Sequence, residues 1–308
     1  MMFLKKRLRK HDPLKKGTVS MIYTLTKDRI SIRVSSLGAE LKSVCLDGFE
    51  YLWQGDPTYW KGQSPILFPI IGGVPDDQYS WKGKTYRMEK HGFARRSEFE
   101  LAEQTEDSLI LRITDTSETR ESYPFSFVFE VIYTIKGNTL SEGFRIRNIG
   151  SEEMPFSVGG RPAFNCPLET GKDFSDYRLE FEKPETLLRR IKRDGLLSGE
   201  SRVFLDDQAE KDLTHGLFYD DAVILSDVSS NWVELFTADD ARSIHVDFTG
   251  FPYLGIWSAQ NDAPFLCIEP WFGVDSTKGD SGAFEEKEGI RILSAGDTFE
   301  AAFSMTLN

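Results

Sequence analysis

A single carboxylate interrupts an apolar run near the end of the chain. Residues 264–273 read PFLCIEPWFG, so Glu269 follows four apolar residues and precedes Pro270 and Trp271. Because proline removes a ladder hydrogen bond, we expect a buried strand to end there, with the carboxylate where core meets cleft. Burial would raise the pKa of this carboxylate toward that of a general base. The indole of Trp271 next to it offers a face on which a sugar ring can stack. The alternative is a strand-end glutamate that faces water.

Three further polar residues stand beside glycine, proline or aromatic residues. They are His91 in HGFAR, Arg161 in GGRPAFN and Asp221 in YDDAV. Taken singly, each is explained as well by a structural role, His91 as a hydrogen-bonded strand-end histidine and Arg161 as a surface guanidinium. With Glu269 they are the candidates that are left once familiar catalytic and cofactor motifs are excluded.

Motifs for metal, nucleotide and redox chemistry are missing from the sequence. It contains no G-x-G-x-x-G, no H-E-x-x-H and no C-x-x-C. Its four histidines, His11, His91, His215 and His245, make a dedicated metal cage improbable. We therefore expect neither a metal nor a cofactor, and we interpret His215 and His245 as structural.

The charge of the chain limits its partners. The 308 residues carry a formal net charge of −12, which argues against nucleic acid or an anionic membrane as the main partner. Residues 1–20 hold seven Lys or Arg and one Asp, and we interpret them as a disordered or non-native extension, the alternative being an arm that touches an acidic partner. Three distant cysteines and the lack of a long apolar run predict a cytoplasmic protein without a membrane span.

Short segments of alternating apolar and polar residues dominate the rest of the chain. We predict strands at residues 125–135 and 139–148, and others at similar intervals up to the C-terminus. Strands about ten residues apart with little helix predict an all-β fold, a large antiparallel β-sandwich, in one domain over 21–308. The few helical stretches that we predict, 185–193 and 206–213, lie in connections.

A series of short motifs runs in order through residues 21–308. They are LGAEL (37–41), LWQGD (52–56), HGFAR (91–95), PAFN (162–165), LGIWS (254–258) and IEPW (268–271). With them the sequence resembles the aldose 1-epimerase (galactose mutarotase-like) family, and within it the bacterial branch linked to lactose-utilisation genes. The resemblance implies a β-sandwich whose concave face holds a free hexose such as galactose or glucose. It also implies cofactor-independent interconversion of the α and β anomers.

The resemblance implies roles for individual residues. Glu269 matches the glutamate that takes the proton from the C1 hydroxyl, while in the family a histidine protonates the ring oxygen and the hemiacetal opens. His91 matches a second histidine that binds and polarises the sugar, and Asp221 matches a carboxylate that accepts hydrogen bonds from its hydroxyls. Phe164 and Trp271, which belong to the matching motifs, are expected to contact the sugar. We expect a monomer or a homodimer whose partner is this small molecule.

Two positions depart from the family pattern. Arg161 stands where the family has its general-acid histidine, and Gly73 stands where many relatives carry an arginine that reaches the sugar. A guanidinium, with a pKa above about 12, does not release its proton near neutrality, and a positioned acid is worth about 10²–10⁴-fold in rate. Three interpretations stay open. They are a mutarotase of reduced rate with His91 or a water as proton donor, a sugar-binding or sensing protein without turnover, and an epimerase-like enzyme for an acidic or phosphorylated sugar.

Overall fold

The computed structural model describes residues 20–238 and 241–308, so the predicted basic extension lies outside the described residues except for Ser20. The described chain consists mainly of strands. In chain order they are β1 Ile22–Lys27, β2 Ile30–Ser35, β3 Leu41–Leu46, β4 Phe49–Glu50, β5 Gln78–Trp81, β6 Lys84–Arg87, β7 Glu100–Gln104, β8 Ser108–Thr114, β9 Phe127–Lys136, β10 Thr139–Asn148, β11 Met154–Phe156, β12 Val158–Gly159, β13 Ala163–Asn165, β14 Arg178–Arg193, β15 Leu196–Asp212, β16 Val223–Ser226, β17 Trp232–Phe236, β18 Ile244–Asp247, β19 Tyr253–Trp257, β20 Phe265–Phe272, β21 Arg291–Leu293 and β22 Thr298–Leu307. Helix α1 covers Ser117–Ser122, and short 3₁₀ turns cover Pro75–Asp77, Ala94–Arg96, Phe174–Asp176, His215–Phe218 and Phe284–Glu286.

One antiparallel sheet of 14 strands forms most of the fold. Its strand order is β12-β20-β19-β16-β14-β17-β18-β22-β10-β9-β8-β7, with β13 also paired to β20 and β15 to β14. A four-stranded sheet, β1 to β4, packs on it, because Ile32 shares one apolar cluster with Phe129 and Val131 of β9. The prediction of an all-β sandwich with short helices in connections is confirmed.

Strand β20 separates the main core from the face that carries the site. Successive side chains of a strand point to opposite faces. Ile268 and Phe272 therefore pack in the main core, while Cys267, Glu269 and Trp271 share the other face. Cys267 and Trp271 belong to two smaller apolar clusters, so the carboxylate between them has apolar neighbours along its own strand on both sides.

Strand β20 continues through Pro270, and the prediction that it ends at Glu269 is wrong. On one edge β20 pairs with β13 before the proline and with β12 after it, which leaves residues 160–162 as a gap in the ladder. The carbonyl of Pro270 accepts a hydrogen bond from the Gly160 N–H at 3.3 Å, so its nitrogen also faces this gap. The missing N–H therefore costs no ladder bond. The same gap releases Arg161 from the sheet beside the carboxylate.

Strands β14 and β15 form one long hairpin, and the helices predicted at 185–193 and 206–213 are therefore wrong. Four register shifts interrupt the pairing of the two strands. Each shift breaks the alternation of buried and exposed side chains along the strand. The apolar residues are therefore spaced in the sequence much as they would be in a helix. The tip of the hairpin reaches the site, because the Gly195 carbonyl oxygen lies 3.6 Å from where a Cβ of Gly73 would be.

A buried carboxyl outside the site makes the stability of the fold depend on pH. Glu142 on β10 is fully buried, and its burial raises its pKa to about 8, against the effect of the Tyr133 hydroxyl. Since the folded state then binds a proton that the unfolded state releases, stability falls as pH rises from about 4.5 to about 8.

We expect Glu142→Gln to remove the part of this fall that Glu142 causes. Its melting temperature should match that of wild type at acidic pH and exceed it at alkaline pH, by the equivalent of roughly 1–3 kcal/mol. Thermal melts over a pH series measure the difference. A variant that is less stable at every pH would contradict the assignment.

Candidate active site

Glu269 lies at the bottom of the site. It is 1% exposed, and on the neighbouring strand β19 it pairs with Gly255. Burial raises its pKa to about 7, although the charge of Arg161 opposes the rise. A carboxyl with this pKa is about half ionised near neutrality and suits a general base.

Arg161 covers this carboxylate. Its Nε lies 3.2 Å from Oε1 of Glu269, and its guanidinium carbon lies 5.0 Å from the ring centre of Trp60 and 4.3 Å from that of Trp257. The distance is that of an ion pair, yet neither the Arg161 Nε nor the Glu269 Oε2 has a hydrogen-bond partner among the described residues. Two buried charged groups thus keep unused hydrogen-bonding capacity, as expected where a ligand binds.

His91 is held as a neutral imidazole. It is 6% exposed, and its Nδ1 accepts a hydrogen bond from the Gly72 N–H at 3.1 Å. Because Nδ1 is an acceptor, the ring proton lies on Nε2. Burial, with the charges of Lys90 and Arg161, lowers its pKa well below the usual value. The ring can therefore donate a hydrogen bond to a ligand without carrying a charge.

Asp221 belongs to an ionic network that joins distant parts of the chain. Lys192 Nζ lies 3.2 Å from Oδ2 of Asp221 and 3.2 Å from Oδ1 of Asp275. The same Asp275 oxygen accepts a hydrogen bond from the Gly73 N–H at 2.8 Å. Although burial opposes the shift, the charges of Lys192 and Lys90 lower the pKa of Asp221. Asp221 is therefore an ionised acceptor for ligand hydroxyls.

Two adjacent glycines shape the backbone under this network. A Cβ on Gly72 would lie 2.3 Å from Cγ of Asp275, and its φ of +70° also favours glycine. At Gly73, in contrast, a Cβ would meet nothing closer than 3.6 Å. The structure therefore leaves space for a side chain at 73, and Lys192 of the hairpin supplies positive charge nearby.

Both predicted aromatic residues are buried, but they pack in different apolar clusters. Trp271 is 3% exposed. Its ring covers Gly255 of β19 and Gly159 of β12, since a Cβ on either glycine would come within 2.6 Å of the ring. Its indole Nε1 has no hydrogen-bond partner in the described part of the chain. Phe164 is fully buried in the main core next to β20, so it supports the strand and does not line the cleft.

The structure brings together Glu269, Arg161, His91 and Asp221, and it adds residues that the sequence did not indicate. These are Lys90, Lys192, Asp275 and the two tryptophans that the Arg161 guanidinium contacts, Trp60 and Trp257. Lys90 and Asp275 stand near predicted motifs, so proximity in sequence was a usable signal. Lys192 gave none, since its segment was predicted to be helical.

The described residues were also searched for metal-ligand clusters, membrane-spanning helices and disulfides. Within residues 20–238 and 241–308, no group of three or more His, Cys, Asp or Glu side chains could hold a metal ion. Across the same residues no helix has the length and apolar character needed to cross a membrane. Cys45, Cys166 and Cys267 are free thiols.

Comparisons with known proteins identify the family of the chain. Residues 21–286 match the family model described as aldose 1-epimerase. Protein LacX, chromosomal, of Lactococcus lactis subsp. lactis is 35% identical over 297 residues, which cover 93% of this chain and 99% of that protein. This relative confirms the predicted link to the lactose branch.

Solved structures give the same result. A galactose mutarotase related enzyme from Lactobacillus acidophilus has a TM-score of 0.90 at 36% identity and covers 94% of this chain and 97% of its own. A galactose mutarotase-like protein from Lactobacillus casei has a TM-score of 0.88 at 32% identity, with coverage of 94% and 100%. These matches extend over nearly the whole described chain, and the protein therefore belongs to the aldose 1-epimerase family.

Proposed function

We propose that this protein interconverts the α and β anomers of a free aldohexose such as glucose or galactose. The observation that carries the proposal is Glu269, a buried carboxyl whose pKa lies near neutrality in a site with His91 and Asp221. Ring opening needs a base for the C1 hydroxyl and a proton for the ring oxygen. Membership of the aldose 1-epimerase family supports the same reaction.

Each group of the site has a role in this proposal. Glu269 takes the proton of the C1 hydroxyl as the bond between C1 and the ring oxygen breaks. Arg161, which packs against two indoles, stabilises the negative charge that develops on oxygen. The Nε2–H of His91 donates a hydrogen bond, Asp221 accepts hydrogen bonds from sugar hydroxyls, and Trp271 lies beside the base. Rotation about C1–C2 and reclosure give the other anomer.

One observation favours a second candidate, sugar binding without turnover. Glu269 has a side chain that is 2% exposed, and Arg161 is the charged group nearest to it. The guanidinium competes with a sugar hydroxyl for this carboxylate. If Arg161 stays in place with sugar bound, the protein retains the family's fold and loses its chemistry.

The charges of the site favour a neutral sugar over an acidic one. Lys90, Lys192 and Arg161 add positive charge, but Glu269, Asp221 and Asp275 balance it. An acidic or phosphorylated sugar would need an excess of cations that this set lacks. Binding of glucose compared with glucuronate and glucose 6-phosphate tests this point, and a strong preference for the anions would restore the acidic-sugar proposal.

The decisive experiment follows freshly dissolved α-D-glucose and α-D-galactose to anomeric equilibrium by polarimetry or proton NMR. We expect relaxation to accelerate in proportion to protein concentration, above the rate in buffer alone. Binding without acceleration, detected by NMR, would establish the second candidate. A protein that neither binds nor accelerates would contradict both.

The pH dependence of this rate is a separate prediction. Because Glu269 acts only when ionised, the catalysed rate should rise on the order of fivefold to tenfold from about pH 6 to about pH 7.5. Relaxation rates across a pH series, each corrected for buffer alone, measure it. A catalysed rate that is flat over this range would show that another group is the base.

We also propose a cytoplasmic location, which the three free thiols favour. Fractionation of the cells that produce the protein tests the location. Light scattering on the purified protein separates a monomer from a homodimer.

A further inference from the structure

Two residues that bind the sugar in the proposed function have backbone angles that favour glycine. His91 has a φ of +66° and Asp221 a φ of +103°, both in the left-handed region. Residues other than glycine keep such angles only where their surroundings fix them, and they concentrate at functional sites. The contacts that hold these two residues therefore decide how a sugar is bound.

His91 is held by the turn at Gly72 and Gly73. The Gly72 N–H donates a hydrogen bond to Nδ1 of His91 at 3.1 Å, and the Gly72 carbonyl accepts one from the His91 N–H at 2.9 Å. The next peptide is fixed in turn, because the Gly73 N–H donates to Oδ1 of Asp275 at 2.8 Å. The orientation of the imidazole thus depends on where Asp275 lies.

One ammonium group joins Asp275 to the second of these residues. Lys192 Nζ lies 3.2 Å from Oδ1 of Asp275 and 3.2 Å from Oδ2 of Asp221. The side chains of Lys192 and Asp275 are 5% and 3% exposed, while that of Asp221 is 36% exposed. Because solvent screens buried charges little, the enclosed pair is a firm contact. The Asp221 carboxylate stays accessible to a ligand.

The lysine itself stands on a fixed part of the fold. Lys192 lies near the end of β14 and pairs with Leu197 of β15. The Leu197 N–H donates to the carbonyl of Ser276 at 3.0 Å, and the Ser276 N–H donates to the carbonyl of Gly73 at 3.0 Å. Backbone hydrogen bonds therefore connect the hairpin, the loop after β20 and the glycine turn. A side chain on such a support can hold its neighbours in place.

We propose that Lys192 is a positioning residue that sets His91 and Asp221 at the spacing a sugar requires. It acts on Asp221 directly, and on His91 through Asp275 and the glycine turn. Without the ammonium, the two carboxylates would repel each other and the turn would shift, so both sugar-binding groups would be displaced. Glu269 is held separately by the pairing of β20 with β19, so sugar affinity should fall more than kcat. This inference rests on the proposed function.

The first test compares Lys192→Met with Lys42→Met in the full chain. Lys42 on β3 lies 2.9 Å from Glu40, so its replacement removes a lysine ion pair outside the site. We expect Lys192→Met to weaken glucose binding by about 10- to 100-fold with a smaller change in kcat, and Lys42→Met to bind as wild type does. Titration followed by proton NMR gives the Kd, and relaxation rates over a range of glucose concentrations give kcat.

The imidazole nitrogens of His91 separate positioning from a general loss of stability. Their NMR shifts in the free protein report the tautomer and the hydrogen bond at Nδ1, and His91→Gln assigns them. We expect Lys192→Met and Asp275→Ala each to move the Nδ1 resonance, and the double variant to move it no further. The double variant also leaves no buried carboxylate at 275, so the test stands even if Lys192→Met alone does not fold.

Wild-type affinity for glucose in Lys192→Met, or a His91 resonance that stays in place in this variant, would overturn the proposal. A further shift in the double variant would do the same, because the lysine would then act by a route other than Asp275. Failure of the proposed function looks different. Wild type would then neither bind glucose nor relax it faster than buffer, while the His91 resonance of the free protein would still show whether Lys192 positions the ring.

Discussion

Replacing Glu269 with Gln is expected to lower the catalysed rate of anomer interconversion by about 10²–10⁴-fold. The amide keeps the size of the side chain but takes up no proton near neutrality. It also leaves the buried guanidinium of Arg161 without its counter-charge. Polarimetry of fresh α-D-glucose, corrected for the rate in buffer, measures the loss.

A second buried glutamate provides the control for this substitution. Glu130 on β9 is 6% exposed and forms ion pairs with Arg112 and Arg145, in a part of the sheet that does not contribute to the site. Glu130→Gln should leave the rate unchanged. If Glu269→Gln relaxed sugars as fast as wild type, Glu269 would not be the base.

Replacing Arg161 with His is expected to raise kcat by about 10- to 100-fold. An imidazole titrates near neutrality and can supply the proton that a guanidinium retains. Trp60 and Trp257 already pack beside a flat group at this position, so an imidazole ring fits its surroundings.

The pH profile gives a second measure of the Arg161→His variant. The guanidinium holds down the pKa of Glu269, so its removal should move the ascending limb of the rate to higher pH. Arg161→Gln is the control that removes the charge without supplying an acid. An equal gain in kcat for Arg161→Gln would mean that the guanidinium only blocks the base, and a loss in both variants would mean that it stabilises the transition state.

Strands with one buried face could be predicted from the sequence. Residues 139–148, predicted as a strand, are the whole of β10, because a strand buried on one face alternates apolar and polar residues. The β14–β15 hairpin could not be predicted, since its register shifts disrupt that alternation. Pro270 likewise misled the prediction. The strand can continue through this proline only because β12 and β13, from another part of the chain, leave a gap in their pairing with β20.

The site was predictable only in part. Glu269 and Arg161 could be named from local context and family resemblance, but their 3.2 Å contact depends on the gap between β12 and β13. Lys192 contacts partners 29 and 83 positions further along the chain, and no local pattern records such a contact. Phe164 shows the opposite case. It belongs to a matching motif and was expected to contact the sugar, but it is fully buried in the core.

Two indoles next to Arg161 give the site an intrinsic fluorescence signal. Trp60 and Trp257 lie 5.3 Å apart with their rings at 79°, and both are in contact with the guanidinium. A sugar that displaces Arg161 changes the polarity and the charge around both fluorophores at once. The intrinsic tryptophan fluorescence of the protein therefore reports how much of the site is occupied by sugar. It responds to a sugar that is only bound as readily as to one that is converted.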